Sequence, residues 1–274
     1  MKQGKTLVMG ILNVTPDSFS DGGNYLNPEK AVKHAKQMFS EGADIIDIGG
    51  ESTRPGSAYV SEKEELRRII PIITLVKKHL GKKIKLSVDT WKAAVANEAL
   101  TAGADIINSL GGFSFDAKLA QVVASYHCPI VIYHIKGKPR TMQKGKIMYS
   151  NVSEEIRNFF EEQIAFGEKN AVKREQFILD PGIGFGKTVK QNIEILKNID
   201  TFKKCNLPIL IGVSRKSHLG MILKESLNLE TKPTERIEAS LAETAFAVYN
   251  GATIVRTHDV LPTKKLLAVV ERFM

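Results

Sequence analysis

The stretch ILIGVSRKS, residues 209–217, is a short apolar run that stops on a hydroxyl and two cations. Apolar, β-branched runs of this length are typical of a buried strand in a parallel sheet. The polar ending indicates that the carboxyl end of the strand carries chemistry rather than packing. The same pattern returns along the whole chain, and this recurrence decides the fold prediction.

Runs of this kind alternate with longer amphipathic segments, which is the pattern of repeated strand–helix units. The predicted strands are Leu7–Leu12, Asp44–Ile48, Ile84–Val88, Asp105–Ile107, Ile130–Tyr133, Gln176–Leu179, Ile209–Val213 and Thr253–Val255. Helix starts are indicated by Asn27 before Pro28, by Ser61 with Glu64 three residues later, and by Ser153 before two glutamates. These strands and helices leave no linker that divides the chain, so residues 1–274 are predicted to be one domain.

The residues that follow the strands separate the two architectures with this alternation. They are Asn13, Asp47, Asp89, Asn108, His134, Asp180, Ser214 and Arg256. A doubly wound open sheet binds its ligand at one switch point and needs few polar strand ends, whereas in a barrel all the carboxyl ends face one mouth. We therefore predict an α/β fold, a (β/α)8 TIM barrel with its active site at those ends. His134 is the uncertain member of the set.

Composition restricts the class of protein further. The chain has 274 residues, 43% of them hydrophobic and 25% charged, and a formal net charge of +9. These proportions are those of a globular protein, and no apolar run approaches the length that spans a bilayer. No signal peptide is apparent, and Cys128 and Cys205 lie far apart, which favours a reducing cytoplasm. The basic balance calls for an anionic partner, and a nucleic acid, a membrane surface or a small anion would each serve.

Four loops carry the unusual residue combinations. The loop at 13–23 is long for its kind and rich in turn formers, and the loop at 49–56 offers hydroxyls, a guanidinium and glycines suited to an oxyanion. Ser214–Ser217 precedes a helix, whose free N–H groups favour anions, and Arg256-Thr257-His258-Asp259 adds a second cation site on the next strand. Adjacent cation sites suit a diphosphate.

The segment DPGIGFGKT, residues 180–188, is rich in glycine but matches neither of two known nucleotide-binding motifs. A phosphate-binding loop needs a glycine at 181, where the chain has Pro181, and a dinucleotide motif starting at Gly182 would end on Lys187. The remaining interpretation is a glycine turn that presents Asp180 and the ring of Phe185 to the mouth. A carboxylate there suits the amidine-like edge of a pterin or a guanine.

Taken together, these segments resemble the dihydropteroate synthase family, the target of sulfonamides, over nearly the whole chain. The matching motifs are NVTPDSFSDGG at 13–23, DIGGESTRPG at 47–56, SVDT at 87–90, IIN at 106–108, DPGIGFGK at 180–187, SRKS at 214–217 and RTHDV at 256–260. The resemblance implies condensation of 6-hydroxymethyl-7,8-dihydropterin diphosphate with 4-aminobenzoate, with Mg²⁺ as cofactor, in a homodimer. It implies no binding of nucleic acid or membrane.

The resemblance also implies roles for individual residues. Asn13 would ligate Mg²⁺, and Lys216, Arg256 and Asp89 would be catalytic. The substrate-binding positions would be Thr53, Arg54, Pro55, Asp89, Asn108, Asp180, Phe185, Lys216, Ser217, Arg256, Thr257 and His258. Two departures from the family pattern are Ser109, where aspartate is usual, and Tyr133, where methionine is common.

Two other functions remain open at the level of sequence. A methyltransferase that passes a methyl group from methyltetrahydrofolate to a corrinoid would share the pterin-edge residues, but it has no use for the diphosphate loop at 13–23. A nucleic-acid-binding barrel would need its cations spread over one face, and its affinity would fall steeply with salt.

Overall fold

The computed structural model describes residues 5–15, 27–54, 56–143 and 145–274. Within these ranges the chain forms strands that start and stop close to the predicted positions. They are β1 Leu7–Asn13, β2 Ile45–Gly49, β3 Lys85–Asp89, β4 Ile106–Leu110, β5 Ile130–Tyr133, β6 Phe177–Asp180, β7 Leu210–Ile211 and β8 Ile254–Thr257. Strand β7 is shorter than predicted, because the chain leaves the sheet at Gly212.

The strands form one parallel sheet in the order β6-β5-β4-β3-β2-β1-β8-β7. Its two ends meet where Leu179 of β6 forms a parallel bridge with Ile209 and donates its backbone N–H to Pro208 O at 2.9 Å. The sheet therefore closes into a barrel, and the predicted TIM-barrel fold is confirmed. The closure between β6 and β7 is an isolated bridge, whereas the other neighbouring strands pair over two to five residues.

Helices follow the strands and pack outside the sheet. They are α1 Pro28–Ser40, α2 Glu62–Leu80, α3 Ala93–Thr101, α4 Leu119–Tyr126, α5 Val152–Lys169, α6 Val189–Lys197, α7 Asp200–Lys203, α8 Ser217–Leu227, α9 Ile237–Tyr249 and α10 Val260–Val270. In the described ranges, none of these helices combines the length and the apolar character that crossing a bilayer requires.

The predicted helix starts are confirmed in two cases of three. The Asn27 side chain accepts from the backbone of Glu29 and Lys30, and the Ser61 hydroxyl accepts from Glu64 N at 3.3 Å. The prediction for Ser153 was wrong, because the N-cap of α5 is Asn151, whose Oδ1 accepts from Glu154 N at 3.0 Å. Ser153 lies buried in the first turn instead.

The barrel interior is built in two layers. An apolar layer closes the lower part of the barrel and consists of Met9, Ile45, Ile106, Val131, Ile178, Leu210 and Ile254. Side chains two positions apart on a strand share a face. The residues two places further along these strands therefore form the next layer toward the carboxyl ends, and there the side chains become polar. The apolar layer is the floor on which the site stands.

Candidate active site

The polar layer above the apolar floor brings together side chains from strands across the barrel. Two residues after the floor come Asp47 on β2, Asn108 on β4, Tyr133 on β5, Asp180 on β6 and Arg256 on β8. Asp47 is fully buried, and Asn108 and Tyr133 are nearly so. Charged and amide groups buried this deeply need mutual partners, and most of them have one here.

Arg256 is the centre of this layer. Its Nε donates to Asp47 Oδ2 at 2.7 Å, and its Nη2 donates to Asp89 Oδ2 at 3.0 Å. Burial lowers the pKa of the Arg256 guanidinium, but the two carboxylates outweigh it, so the net pKa is raised. Burial and the neighbouring Asp47 raise the pKa of Asp89 to about 7, although Arg256 opposes that shift. One guanidinium therefore holds two carboxylates of the mouth.

Tyr133 points into the mouth, where the sequence had left His134 as the candidate. Its hydroxyl donates to Asp89 Oδ1 at 3.0 Å, and its ring centroid lies 5.4 Å from that of Phe185. The His134 ring instead packs against Phe159 of α5, with centroids 5.0 Å apart. Of the two departures from the family pattern, Tyr133 thus changes the wall of the site. Ser109 does not, because its hydroxyl donates to Gly112 O at 2.7 Å.

Asn108 and Asp180 offer hydrogen-bond acceptors to the mouth. The Asn108 amide donates to Asp47 Oδ2 at 3.0 Å, which fixes its orientation, and its Oδ1 is buried with no partner among the described residues. Asp180 Oδ1 accepts from Gly182 N at 2.7 Å. Burial raises the pKa of Asp180, and the cations around it pull that pKa back. An unpaired buried acceptor is costly, so this layer suits a ligand that brings N–H donors.

The glycine turn after β6 carries the ring of Phe185 as predicted. Gly184 N donates to Asn192 Oδ1 at 2.8 Å, and Gly182 and Gly184 both have positive φ, of 69° and 83°. The Phe185 ring faces Lys216, whose Nζ is 4.3 Å from the ring centroid. The turn after β6 and the loop after β7 therefore meet over one pocket.

Lys216 is the cation at the start of α8. Its Nζ donates to Ile183 O, and burial lowers the pKa of the ammonium to about 8, although Asp180 acts in the opposite direction. Ser217 is the first, exposed residue of α8, where the helix N–H groups favour an anion. Arg215 turns away with a φ of 59° and forms a two-pronged ion pair with Asp259, at 3.0 and 2.6 Å. Lys216, rather than Arg215, is thus the cation that this loop offers.

The lowered pKa of His258 indicates the sign of the charge in the mouth. Its Nδ1 lies 3.0 Å from Ser214 Oγ, which links the loops after β7 and β8. Burial lowers the pKa of His258 well below its ordinary value, and four cations on three segments lower it further: Arg215, Arg256, Arg54 and Lys216. A neutral imidazole among four cations marks a region of strong positive potential. Arg54, from the loop after β2, reaches the same region as the cations of β7 and β8.

The remaining predicted site residues lie at different places relative to the mouth. Asn13 ends β1, and a Cβ on Gly49 would lie 3.6 Å from the Asn13 Oδ1 and 3.7 Å from the Asp89 Cβ, so Asn13 borders the same mouth. Thr53 lies half-buried in the loop after β2. The Thr257 hydroxyl faces α10, where it accepts from Asp259 N at 3.0 Å and contacts Thr263. Pro55 and residues 16–23 of the first loop lie outside the described residues.

The comparisons with known proteins agree with this geometry. The family model described as "Pterin binding enzyme" matches residues 9–258. A dihydropteroate synthase of a Synechocystis strain is 45% identical over 267 residues, covering 97% of this chain and 90% of the relative. The chain belongs to the dihydropteroate synthase family. It is accordingly an enzyme, a transferase.

Other members of the dihydropteroate synthase family are similar over nine-tenths or more of their length. The Escherichia coli K12 enzyme is 44% identical over 264 residues, covering 96% of this chain and 90% of its own. The Yersinia pestis enzyme, solved with a sulfonamide drug complex, has a TM-score of 0.93 and 39% identity, covering 100% of this chain and 96% of its own. The Xanthomonas albilineans enzyme, solved with 4-aminobenzoic acid, has a TM-score of 0.87 and 36% identity, covering 99% and 94%.

One part of this family member's site was missed from the sequence. Lys92 is 1% exposed, and its Nζ donates at 2.6 Å to each of Glu51 Oε2, Glu65 Oε2 and Val60 O. Glu51 Oε1 also accepts from Val60 N at 3.0 Å. Glu51 and Val60 are thus tied to each other and to Lys92, so the loop 51–60 that carries Thr53 and Arg54 has a fixed base. No motif spacing indicates this triad, because its members come from three separate segments: the loop after β2, helix α2 and the loop after β3.

Proposed function

We propose that the chain condenses 6-hydroxymethyl-7,8-dihydropterin diphosphate with 4-aminobenzoate, giving 7,8-dihydropteroate and diphosphate. One observation carries the proposal: acceptors on β3, β4 and β6 lie in the same mouth as the cations of the loops after β2, β7 and β8. The acceptors suit the N–H donors of a pterin, and the cations suit a diphosphate. The substrates of this reaction carry both features in one molecule.

The pterin end would be held by the polar layer. Asp180 and Asn108 would accept from the ring N–H and the exocyclic amine, and Asn108 Oδ1 is a buried acceptor with no partner among the described residues. Asp89 is positioned beside them by Arg256 and Tyr133. Lys216, next to Asp180, would contact the ring from the other side. The buried floor below this layer excludes water from that end.

The diphosphate would lie among Arg54, Lys216, Arg256 and His258, which act as fixed positive groups and donors where negative charge develops. The carbon–oxygen bond to diphosphate breaks first, and the exocyclic carbon becomes a cation delocalised into the electron-rich dihydropterin. The neutral amine of 4-aminobenzoate then forms the new carbon–nitrogen bond and afterwards loses its proton. Because the amine is already nucleophilic, no strong general base is needed.

Mg²⁺ is proposed as the cofactor. Asn13 fits it: an amide oxygen at the end of β1 is a hard donor, and Mg²⁺ often takes one or two protein ligands together with substrate phosphates. Mg²⁺ would neutralise charge on the departing diphosphate.

The second substrate would bind between the turn after β6 and the start of α8. Phe185 and the stem of Lys216 supply an apolar slot, and Ser217 with the first N–H groups of α8 suits the carboxylate. Pro55 completes this pocket in the proposal. Sulfonamides are proposed to occupy the same slot.

A homodimer is proposed as the assembly, supported by an exposed apolar face on α9, α10 and the C-terminal residues. Phe246, Tyr249 and Phe273 are 45%, 63% and 76% exposed there. Apolar patches of this kind on a globular protein often mark an interface. A Tyr249→Glu variant should sediment as a monomer where the wild type sediments as a dimer, and a wild type that is monomeric at micromolar concentration would contradict the proposal. The cytoplasm is the proposed location, since both cysteines are free and buried.

The deciding experiment measures diphosphate release and dihydropteroate formation from the pterin diphosphate, with and without 4-aminobenzoate and Mg²⁺. We expect product only when all three are present. No aminobenzoate-dependent dihydropteroate would overturn the assignment. A second measurement tests the order of binding, because labelled 4-aminobenzoate should bind well only after Mg²⁺ and diphosphate have filled the first site.

A further inference from the structure

Lys187 is a buried cation that neither substrate is proposed to touch. It follows the glycine turn after β6 and is 3% exposed. Its Nζ has three partners at close range: Gly182 O at 2.9 Å, Phe185 O at 3.0 Å and His134 Nδ1 at 2.9 Å. His134 O lies further away, at 3.4 Å. The ammonium is thus surrounded by the backbone of the turn and by the segment after β5, and no carboxylate of the described residues is bonded to it.

These three bonds are complete in either protonation state. An ammonium donates three protons to the three acceptors, and His134 then keeps its proton on Nε2. A neutral amine donates to the two carbonyls and accepts from Nδ1–H of the other tautomer. Burial, Lys216 and Lys136 lower the pKa of Lys187, and burial with Lys187 lowers the pKa of His134, so the pair never carries two charges at neutral pH. The contact is therefore retained at neutral pH whichever partner holds the proton.

The turn held by Lys187 packs tightly against the backbone of residues 134–136, which follow β5. A Cβ on Gly182 would lie 1.9 Å from His134 O, and a Cβ on Gly186 would lie 2.4 Å from Lys136 O. Asp180, at the start of the turn, is fixed by the sheet, since β5 pairs with β6 there and His134 N donates to Asp180 O at 2.9 Å. Residues 183–186 have no such ladder. Their position relative to the sheet depends on Lys187 and on single hydrogen bonds. Lys136 N donates to Phe185 O at 3.5 Å, Gly184 N donates to Asn192 Oδ1 at 2.8 Å, and the Tyr149 hydroxyl donates to Gly186 O at 3.0 Å.

Residues 183–186 also form one wall of the pocket proposed for 4-aminobenzoate. Ile183 O accepts from Lys216 Nζ, and the Phe185 ring lies under the same ammonium. A shift of this turn would move the Phe185 ring and release Lys216, while the ladder would leave Asp180 in place. The consequence should therefore fall on one substrate more than on the other.

We propose that Lys187 is a positioning residue, which with His134 as its partner fixes the turn 182–186 and so shapes the 4-aminobenzoate pocket. The proposal rests on the proposed function for its kinetic readout. It gives a role to the lysine of the DPGIGFGK segment. That segment fits the spacing of neither a phosphate-binding loop nor a dinucleotide motif, so no nucleotide accounts for this lysine.

The test compares Lys187→Met with the wild type and with Lys190→Met, an exposed lysine on α6 that serves as matched control. We expect Lys187→Met to raise KM for 4-aminobenzoate by at least about tenfold, with KM for the pterin diphosphate and kcat changed by less than about threefold. Amide hydrogen exchange of residues 183–186 should quicken in Lys187→Met and stay unchanged in Lys190→Met. That readout does not require activity.

His134 variants supply the second arm and remain informative where Lys187→Met fails to fold. Asparagine can place an amide oxygen near the position of Nδ1, so His134→Asn should keep KM for 4-aminobenzoate close to the wild-type value, whereas His134→Leu should raise it as Lys187→Met does. A normal KM and normal exchange in both Lys187→Met and His134→Leu would overturn the proposal. A rise in both KM values together with a fall in kcat would also overturn it, since that is the result of a merely structural role. A wild type that forms no dihydropteroate would instead contradict the proposed function, and the exchange measurement would still decide the role of Lys187.

Discussion

The Nε of Arg256 lies 2.7 Å from Oδ2 of Asp47, although the two residues are 209 positions apart in the chain. The contact crosses β1, because β2 and β8 are its two neighbours in the sheet. Asp47 is fully buried, and its other oxygen, Oδ1, has no partner among the described residues. A buried carboxylate with so few partners depends on this guanidinium, so the contact supports the fold and the site together.

Replacement of Arg256 by lysine tests that dependence. Lysine keeps the charge but cannot reach Asp47 and Asp89 with two separate nitrogens, so the carboxylates would reorient. We expect Arg256→Lys to lower kcat/KM by about a hundredfold and to reduce stability by about 1–3 kcal/mol. Steady-state kinetics and urea denaturation measure the two effects. Arg272→Lys, at an exposed position, is the control and should change neither.

Lys216 gives the anion site a pH dependence. Its pKa is lowered to about 8, so the ammonium loses its proton as the pH rises above 8 and its attraction for an anion disappears. Sulfate keeps its charge over this range, which makes it a suitable probe. Calorimetry should show sulfate binding weakened by about tenfold between pH 7.5 and 9.5 in the wild type. Lys216→Met should bind weakly at both pH values, and an equal slope in the variant would assign the titration to another group.

Truncation of Lys216 should also separate binding from folding. We expect Lys216→Ala to weaken binding of the pterin diphosphate and of 4-aminobenzoate while the thermal midpoint changes by only a few degrees, since the ammonium has a carbonyl partner and is only half-buried. Unchanged kinetics in this variant would remove Lys216 from the site.

Tyr133 should set the acid limb of the pH–rate profile. Its hydroxyl donates to Asp89 and so stabilises the ionised carboxylate, whose pKa is already raised to about 7. Removal of the donor in Tyr133→Phe raises that pKa further, because only the charged form loses a hydrogen bond. The acid limb of kcat/KM for the pterin diphosphate should move up by about one pH unit. A limb that stays in place would show that Asp89 does not control it.

Lys92 should be essential for stability rather than for chemistry. Lys92→Met leaves Glu65 buried without its cation, which costs about 3–5 kcal/mol in urea denaturation. The pKa of Glu65 is raised by burial and Lys92 opposes that rise, so the variant raises it further. The folded state then binds more protons than the unfolded state above the ordinary pKa of glutamate, and stability falls as pH rises through that window. The loss should therefore be larger at pH 8 than at pH 5, and Lys78→Met, at an exposed position, should show no loss at either pH.

The sequence predicts the barrel well because each strand is marked by a pattern of residues within its own short segment. Apolar runs and their polar endings locate most strand ends within one or two residues. Strand β4 runs three residues past its predicted end, to Leu110, and β7 is shortened because the chain turns at Gly212 toward the left-handed Arg215. His134, which the sequence left uncertain, lies one position past Tyr133, whose hydroxyl contacts Asp89 in the mouth. Val131 belongs to the apolar floor, so counting two residues onward reaches Tyr133.

Other features had weaker signals. Asn151 and Ser153 are both good helix caps, and only the glutamate three residues after Asn151 distinguishes them. The Lys92 triad joins positions 51, 65 and 92, and the Lys187 contact joins positions 134 and 187. Such pairs are set by how the helices and loops pack, and no local pattern encodes them.

The weak seam between β6 and β7 has a consequence for how the site adapts. Asp180 lies on one side of it and Lys216 on the other, and the described strands meet there at a single bridge between Leu179 and Ile209. The other neighbouring strands pair over two to five residues. A change in the width of the cleft between Asp180 and Lys216 would therefore disturb fewer paired backbone positions than a change between any other neighbouring strands of the described barrel.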